Sequence, residues 1–334
     1  MSSKLFTRKV GNTQVSSIGF GAMGISSYYG SVEPDEQRFK VLDAAYEEGC
    51  TFWDTADVYG DSEELIGKWF KRTGKRDKIF LATKFGFVQD EGVINGKPEY
   101  VKAAFEKSRQ RLGVDTVDLY YPHRADATVP IEHTIGAMAE LVKEGKVKYI
   151  GLCEVSASTL RRAHAVHPIA AVQVEYSPFT LDIEDEKIGL LKACRELGVA
   201  IVAYAPLGRG LLTGQIRSPD DFEEADFRRL IPRYSKENFP NLLKVAEELK
   251  AIGERHNATA GQTALAWILA QGEDFIPIPG TKKIKYLKEN VAAAQVKLSP
   301  EEVNEVREIA NRANISSVGR NPPGTGEYSD TPSL

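Results

Sequence analysis

Short apolar runs alternate with longer amphipathic stretches along almost the whole chain, and this alternation sets the expected fold. Runs rich in β-branched and aromatic residues, at about Thr51–Asp54, Ile79–Lys84, Val117–His123, Val147–Glu154, Ala171–Glu175, Ala200–Tyr204 and Phe275–Pro279, read as strands. A shorter run near Ile18–Gly21 makes eight. Between them, helical spacing of apolar positions appears at about 35–49, 62–73, 98–112, 131–144, 157–166, 186–197, 238–256 and 282–293. A helix after every strand implies parallel strands, because each crossover returns the chain to the same end. Eight such units without a compositional break predict an α/β fold, a single closed (β/α)8 TIM barrel rather than a doubly wound sheet. Phe6–Val10 and Gln14–Ile18, flanking Gly11-Asn12-Thr13, predict an N-terminal β-hairpin. Further helical patterns at 261–271 and 300–312 are extra to the barrel. We therefore expect one domain over 1–334, with the barrel core at about 18–293 and a C-terminal helix and tail at about 294–334. The tail from Ala313 is expected either to fold over the barrel mouth or to stay mobile.

Composition narrows the function mainly by exclusion. With 43 basic and 47 acidic residues, the net charge of −4 gives no electrostatic reason to expect nucleic acid or an anionic membrane as partner. Nowhere do about 18 apolar residues run together as a membrane span requires, and the N-terminus has no apolar signal core. Cys50, Cys153 and Cys194 show no C-x-x-C spacing, so neither a disulfide framework nor a metal site is expected, and a reducing, cytoplasmic setting fits. No feature speaks to oligomeric state. Gly19-Phe20-Gly21-Ala22-Met23-Gly24 matches the G-x-G-x-x-G of a dinucleotide-binding turn. That turn needs a helix to open at once, whereas the next helical pattern begins near Pro34, so the match is set aside.

Candidate chemistry gathers where strands end. In Thr51-Phe52-Trp53-Asp54 a strand closes on a carboxylate, and the loop beyond it carries Tyr59. The next two strands end at Lys84 and His123. In a parallel barrel these ends share one face and successive strands are neighbours, so Asp54, Lys84 and His123 are expected to converge beside Tyr59. Each has a bland alternative: a helix cap for Asp54, a surface aromatic for Tyr59, a rim lysine for Lys84, a satisfied core histidine for His123. Three adjacent strands that all end on ionisable residues weigh against those alternatives together. An ammonium at Lys84 would make the Tyr59 phenol more acidic, Asp54 would keep that ammonium charged, and a neutral His123 would orient a carbonyl oxygen. The set suits proton donation to an oxygen gaining negative charge during hydride addition to a carbonyl, and the hydride must come from a nicotinamide.

With Asp54, Tyr59, Lys84 and His123 in order, and with GFGAMG, DTADVYG, EELIGKW, YIGLCE, VQVEYSP and AYAPLGRGLLTG, the chain resembles the aldo-keto reductases, NADPH-dependent (β/α)8 enzymes, from about Thr7 to Ala293. It looks most like their fungal and plant branch of perakine-reductase-like and YakC-type enzymes. The resemblance implies reduction of aldehydes or ketones to alcohols, with Tyr59 as general acid, Lys84 and Asp54 tuning it and His123 orienting the carbonyl. It also implies that Gln173 holds the nicotinamide carboxamide, that Tyr204 stacks on its ring, and that Cys153 and Glu154 stand where many relatives have Ser-Asn. In the segment carrying Leu207, Gly208 and Gly210, glycines let backbone amides approach a pyrophosphate. After the eighth strand, lysines near a helix start oppose its dipole unless an anion sits there. By resemblance, Gly280, Thr281, Lys282, Tyr286, Glu289 and Asn290 would take the adenosine 2′-phosphate end, which favours NADPH/NADP+ over NADH. Tyr28, Tyr29, Trp53, Phe85 and Phe87, with the long segment 205–237, are candidate walls for an apolar or aromatic carbonyl substrate, and Trp53 could equally be core, since half of a barrel strand's side chains point outward into the helix layer. Two other readings stay open: a nicotinamide-binding, redox-sensing regulatory subunit with little turnover, and an aldolase-type barrel using Lys84 as Schiff-base nucleophile.

Overall fold

The strands form a single parallel ladder in chain order in the computed structural model, which describes residues 5–88, 91–224, 226–315, 318–321 and 326–334. They are Phe20–Gly21, Phe52–Asp54, Phe80–Phe85, Val117–Pro122, Val147–Cys153, Ile169–Glu175, Ala200–Tyr204 and Phe275–Pro277. The first and last are joined where Gly19 N donates to Pro277 O at 2.9 Å and Gly21 N to Pro279 O at 3.3 Å, so the sheet closes into a (β/α)8 barrel. The glycines of the G-x-G pattern serve that seam. A Cβ on Gly21 would lie 2.7 Å from the Ile278 carbonyl oxygen, and one on Gly280 would lie 2.5 Å from that of Gly21. A one-turn helix, Met23–Ser26, does open within the end of the pattern, sooner than the sequence suggests, but the first long helix is Asp35–Glu47.

The two-residue repeat of the strands decides which side chains face inward. Phe52, Ala82, Leu119, Tyr121, Cys153, Val202 and Ile276 form a cluster inside the barrel, together with Val10 and Val15 of the hairpin Thr7–Val10 and Thr13–Ser16. Their neighbours Trp53, Leu81, Phe85 and Tyr120 belong to the larger cluster between sheet and helices. The same alternation turns Asp54 and Lys84 inward, one layer above Phe52 and Ala82. Trp53 and Phe85, expected as substrate walls, therefore sit in the outer core: Trp53 packs on Trp69 and Phe70, and Phe85 stacks on Tyr120.

Helices Ser62–Thr73, Pro98–Leu112, Ile131–Lys143 and Ala157–Val166 lie where the pattern put them. The sixth is shorter than expected, Leu190–Leu197, because Gly189 precedes it with φ +62°. Between the seventh and eighth strands the order of layers is reversed. Ala260–Leu269, read as an extra, packs against the eighth strand, while Phe239–Glu254 lies outside it against Pro300–Ala313. Apolar residues on all sides of Ala260–Leu269 suit that sandwiched position, and Thr259 and Gln262 close its first turn as a capping box. Helix Ile284–Ala292 follows the eighth strand. Among the described residues no helix is long and apolar enough to cross a membrane. The seam makes a clear demand: Gly21→Ala should lower the unfolding free energy in urea by about 1–3 kcal/mol, and an unchanged midpoint would mean that closure does not depend on the bare glycine.

Candidate active site

At the carboxyl face of the barrel the second and third strands place a carboxylate and an ammonium side by side, both almost wholly shielded from water. Lys84 Nζ donates to Asp54 Oδ1 at 2.5 Å, to the Thr55 carbonyl at 2.8 Å and to the Tyr59 hydroxyl at 3.4 Å. An ammonium has three hydrogens, so these acceptors use all of them. Asp54 Oδ2 accepts from Gln173 Nε2 at 2.8 Å, which ties the second strand to the sixth. The Tyr59 hydroxyl lies 3.3 Å from His123 Nε2. His123 in turn is held by its backbone NH, which donates to Phe85 O at 2.7 Å. Asp54, Tyr59, Lys84 and His123 are thus one connected group.

Electrostatics assign their protonation. Burial works to lower the Lys84 ammonium, but Asp54 and the phenol beside it outweigh that and hold it above its ordinary value. The Asp54 carboxyl is raised by burial against the opposing pull of Lys84 and Gln173. Burial pushes the Tyr59 phenol up to about 12, more than Lys84 lowers it, so the phenol is a firmly protonated donor rather than the acidified one that charge alone predicts. His123 falls well below the usual imidazole range, first through burial and then through the nearby charges of Lys84 and Arg124. A Schiff-base role for Lys84 would need a neutral amine open to substrate. Instead it is charged, fully occupied and set behind the wall that Asp54, Tyr59 and His123 present.

That wall borders a cavity of about 850 Å³. Among the residues singled out for a cofactor, Cys153, Gln173, Tyr204, Leu207, Gly210, Gly280, Thr281, Lys282, Tyr286, Glu289 and Asn290 line it. Two do not. Glu154, with φ +51°, turns its carboxylate to Arg320 at 2.9 and 3.1 Å and to the Glu175 NH at 3.0 Å. Gly208 has φ +55° and packs so close to Phe179 that an added Cβ would lie 2.5 Å from its ring. Lys282 Nζ bonds the carbonyls of Tyr29 and Ser31, and Tyr286 donates to Gln215 at 2.6 Å, so the residues expected at the adenosine end join separate loops. Of the substrate candidates, Tyr28, Tyr29 and Phe87 line the cavity, while Trp53 and Phe85 do not.

Sequence reasoning passed over Arg124 and reached Arg209, Phe227 and Arg228 only as members of the segment 205–237, and all four are on the cavity wall. Arg209 and Arg228 lie over the rings of Phe227 and Tyr29 at 4.8 and 4.9 Å, joining the long segment after the seventh strand to the first loop. Arg209 is left-handed, as are Tyr28, Glu154 and Ala205, so backbone strain gathers at this face. The tail also reaches it. Ser329 N donates to Glu154 O and Ser156 N to Ser329 O, at 2.9 and 3.1 Å, and Arg320 sits buried beneath the ends of the fifth and sixth strands. Parts of the expected tail, 316–317 and 322–325, fall outside the described residues.

A closed parallel barrel with a carboxylate-paired ammonium behind a phenol, opening on a long cavity at its carboxyl face, defines the class. The chain belongs to the Aldo/keto reductase family, whose sequence profile matches residues 17–311. Aldo-keto reductase str7 of Strobilurus tenacellus is 67% identical over 314 residues, spanning 92% of this chain and 93% of its own. A second fungal relative, aldo-keto reductase yakc of Schizosaccharomyces pombe, whose name specifies NADP(+), is 52% identical and spans 98% of both chains. Among solved structures, the glycerol dehydrogenase AKR11B4 from Gluconobacter oxydans is similar with a TM-score of 0.82 at 28% identity, over 92% of this chain and 95% of its own.

The histidine gives a test with a definite sign. Its folded pKa lies below that of the unfolded chain, about 6.5, so the unfolded state takes up the proton first and His123 costs stability as pH falls through that value. In nitrogen NMR of histidine-labelled protein the ring of His123 should still be neutral at about pH 6. A protonated ring at that pH would overturn the assignment.

Proposed function

We propose that this protein reduces aldehydes or ketones to alcohols with NADPH, and that Tyr59 delivers the proton. The observation that carries the reading is the Tyr59 hydroxyl poised between Lys84 Nζ at 3.4 Å and His123 Nε2 at 3.3 Å on the wall of the cavity. A carbonyl oxygen placed against that wall meets two donors, the phenol and, in the tautomer carrying its hydrogen on Nε2, the neutral imidazole. As the oxygen gains negative charge its affinity for a proton climbs, and the phenol releases its own. The phenolate left behind faces the Lys84 ammonium, which Asp54 holds in place and in charge. The high value of the resting phenol is therefore no obstacle: it keeps the proton on Tyr59 until the acceptor needs it.

The residues present suit a nicotinamide dinucleotide. A cavity of about 850 Å³ lies within the usual range for ligand sites, and it extends from Tyr59 to Asn290. Gln173, its NH2 committed to Asp54, keeps a carbonyl oxygen to accept from a carboxamide, and Tyr204 borders the same space. At the far end Lys282 and Lys283 have no carboxylate partner among the described residues, which suits a phosphate. The reduced nicotinamide, when bound, supplies the hydride. The yakc relative's NADP(+) supports choosing the phosphorylated coenzyme.

Consumption of NADPH absorbance against a panel of aldehydes, ketones and quinones measures the reaction directly. In Tyr59→Phe the rate should fall by about 10²–10⁴ while the NADPH dissociation constant, read by fluorescence quenching, moves little, because the lost hydrogen serves the reaction and not coenzyme binding. Turnover at the wild-type rate in that variant would remove Tyr59 from the role.

A further inference from the structure

Arg124 stands out on the cavity wall because it makes no direct ion pair among the described residues. It follows His123 directly, just beyond the end of the fourth strand, and lines the same cavity as Tyr59, His123 and Tyr204. Its Nη1 donates to the His123 carbonyl at 2.8 Å, while its Nε is buried without a hydrogen-bond partner. No carboxylate among the described residues lies within ion-pair distance. The other arginines of this wall are different: Arg209 pairs with Glu175 at 3.3 Å and Arg228 with Asp226 at 2.6 Å. The buried Arg233 and Arg320 are likewise paired, with Glu175 and Glu154.

The Arg124 guanidinium is half-buried, and although Glu154 favours its charge from a distance, no carboxylate meets it directly, which leaves it able to take an anionic partner that a ligand brings into the cavity. Its Nη2 has no hydrogen-bond partner among the described residues, and a guanidinium nitrogen binds a carboxylate through a short charge-assisted hydrogen bond. The coenzyme does not supply that partner under the reading given above, because its phosphates belong at the Lys282 end and its carboxamide is neutral. We infer that Arg124 selects carbonyl substrates bearing a second, anionic group, so that this pocket is built for oxo acids and carboxylated aldehydes. The oxo group sits at Tyr59 and His123, the carboxylate on Arg124, and the body of the substrate lies against the aromatic rings of Tyr28, Phe87 and Phe227. This rests on the reaction proposed above and names its substrate class.

The test compares acids with their own esters on the full-length enzyme at saturating NADPH. 3- and 4-Carboxybenzaldehyde are each set against the corresponding methyl ester, which keeps the shape and electron withdrawal and removes the charge. Wild type should favour at least one acid over its ester by about 10- to 100-fold in kcat/KM, the range of a hydrogen bond to a charged group. Arg124→Met should bring that ratio to about one or below through KM, and Arg124→Lys should keep part of it. A binding arm needs no turnover: by calorimetry, 4-(hydroxymethyl)benzoate should bind Arg124→Met at least about tenfold more weakly than wild type. A wild-type enzyme that treats esters as well as acids, or a ratio or affinity that Arg124→Met leaves unmoved, overturns the inference. Loss of benzoate affinity in Arg124→Met with no aldehyde reduced by wild type overturns instead the proposed reaction.

Discussion

The site hangs on one interaction, the ion pair of Asp54 and Lys84 sealed inside the carboxyl end of the barrel. Stability does not account for it. A buried pair recovers little more than it costs to dehydrate, whereas removing one partner leaves a stranded charge worth about 3–5 kcal/mol of destabilisation. What the pair provides is a fixed positive charge at the base of a phenol, in surroundings where water cannot screen it. The geometry follows from the barrel. Parallel strands bring their ends to one face, and the two-residue repeat turns Asp54 and Lys84 inward on adjacent strands. Gln173, reaching across from the sixth strand, then locks Asp54 from the other side.

Much of this was legible in the chain because strand periodicity and strand ends are local signals. The eight strands, most helices and the meeting of Asp54, Tyr59, Lys84 and His123 follow from runs that can be read a few residues at a time. Parity also explains where the reading of the walls failed. Trp53 precedes Asp54 and Phe85 follows Lys84, so if the charged residues face inward their neighbours must face the helices. That consequence is open in the sequence for Trp53, and the same parity applies to Phe85. The exchange of Ala260–Leu269 for Phe239–Glu254 was also signalled, by a segment apolar on every side.

Other features carried no local signal. Arg124 stands two residues past a strand, where alternation no longer dictates direction. The tail is polar and irregular, yet Arg320 travels back to cover Glu154, and with Arg209 and Arg233 it surrounds the carboxylate of Glu175. Arg320 also reaches the hydroxyl of Tyr204 at 3.3 Å. Those contacts span more than a hundred residues of chain, and no spacing rule anticipates them. They explain why Glu154 is engaged behind the cavity rather than within it, and they brace the strand ends from which Gln173 and Tyr204 project. The acidity of Tyr59 was misjudged for a related reason: charge can be guessed from neighbours, whereas the depth of burial that outweighs it belongs to the folded whole.

The most direct test of the central claim is a double-mutant cycle on the hydride-transfer step, followed by single-turnover oxidation of bound NADPH with an aldehyde. If Asp54 and Lys84 act as one unit on Tyr59, then Asp54→Asn, Lys84→Met and the double variant should all slow the step by a similar factor. Losses in the single variants that multiply in the double would mean that the two residues act independently, and the account of a paired charge supporting the phenol would be wrong.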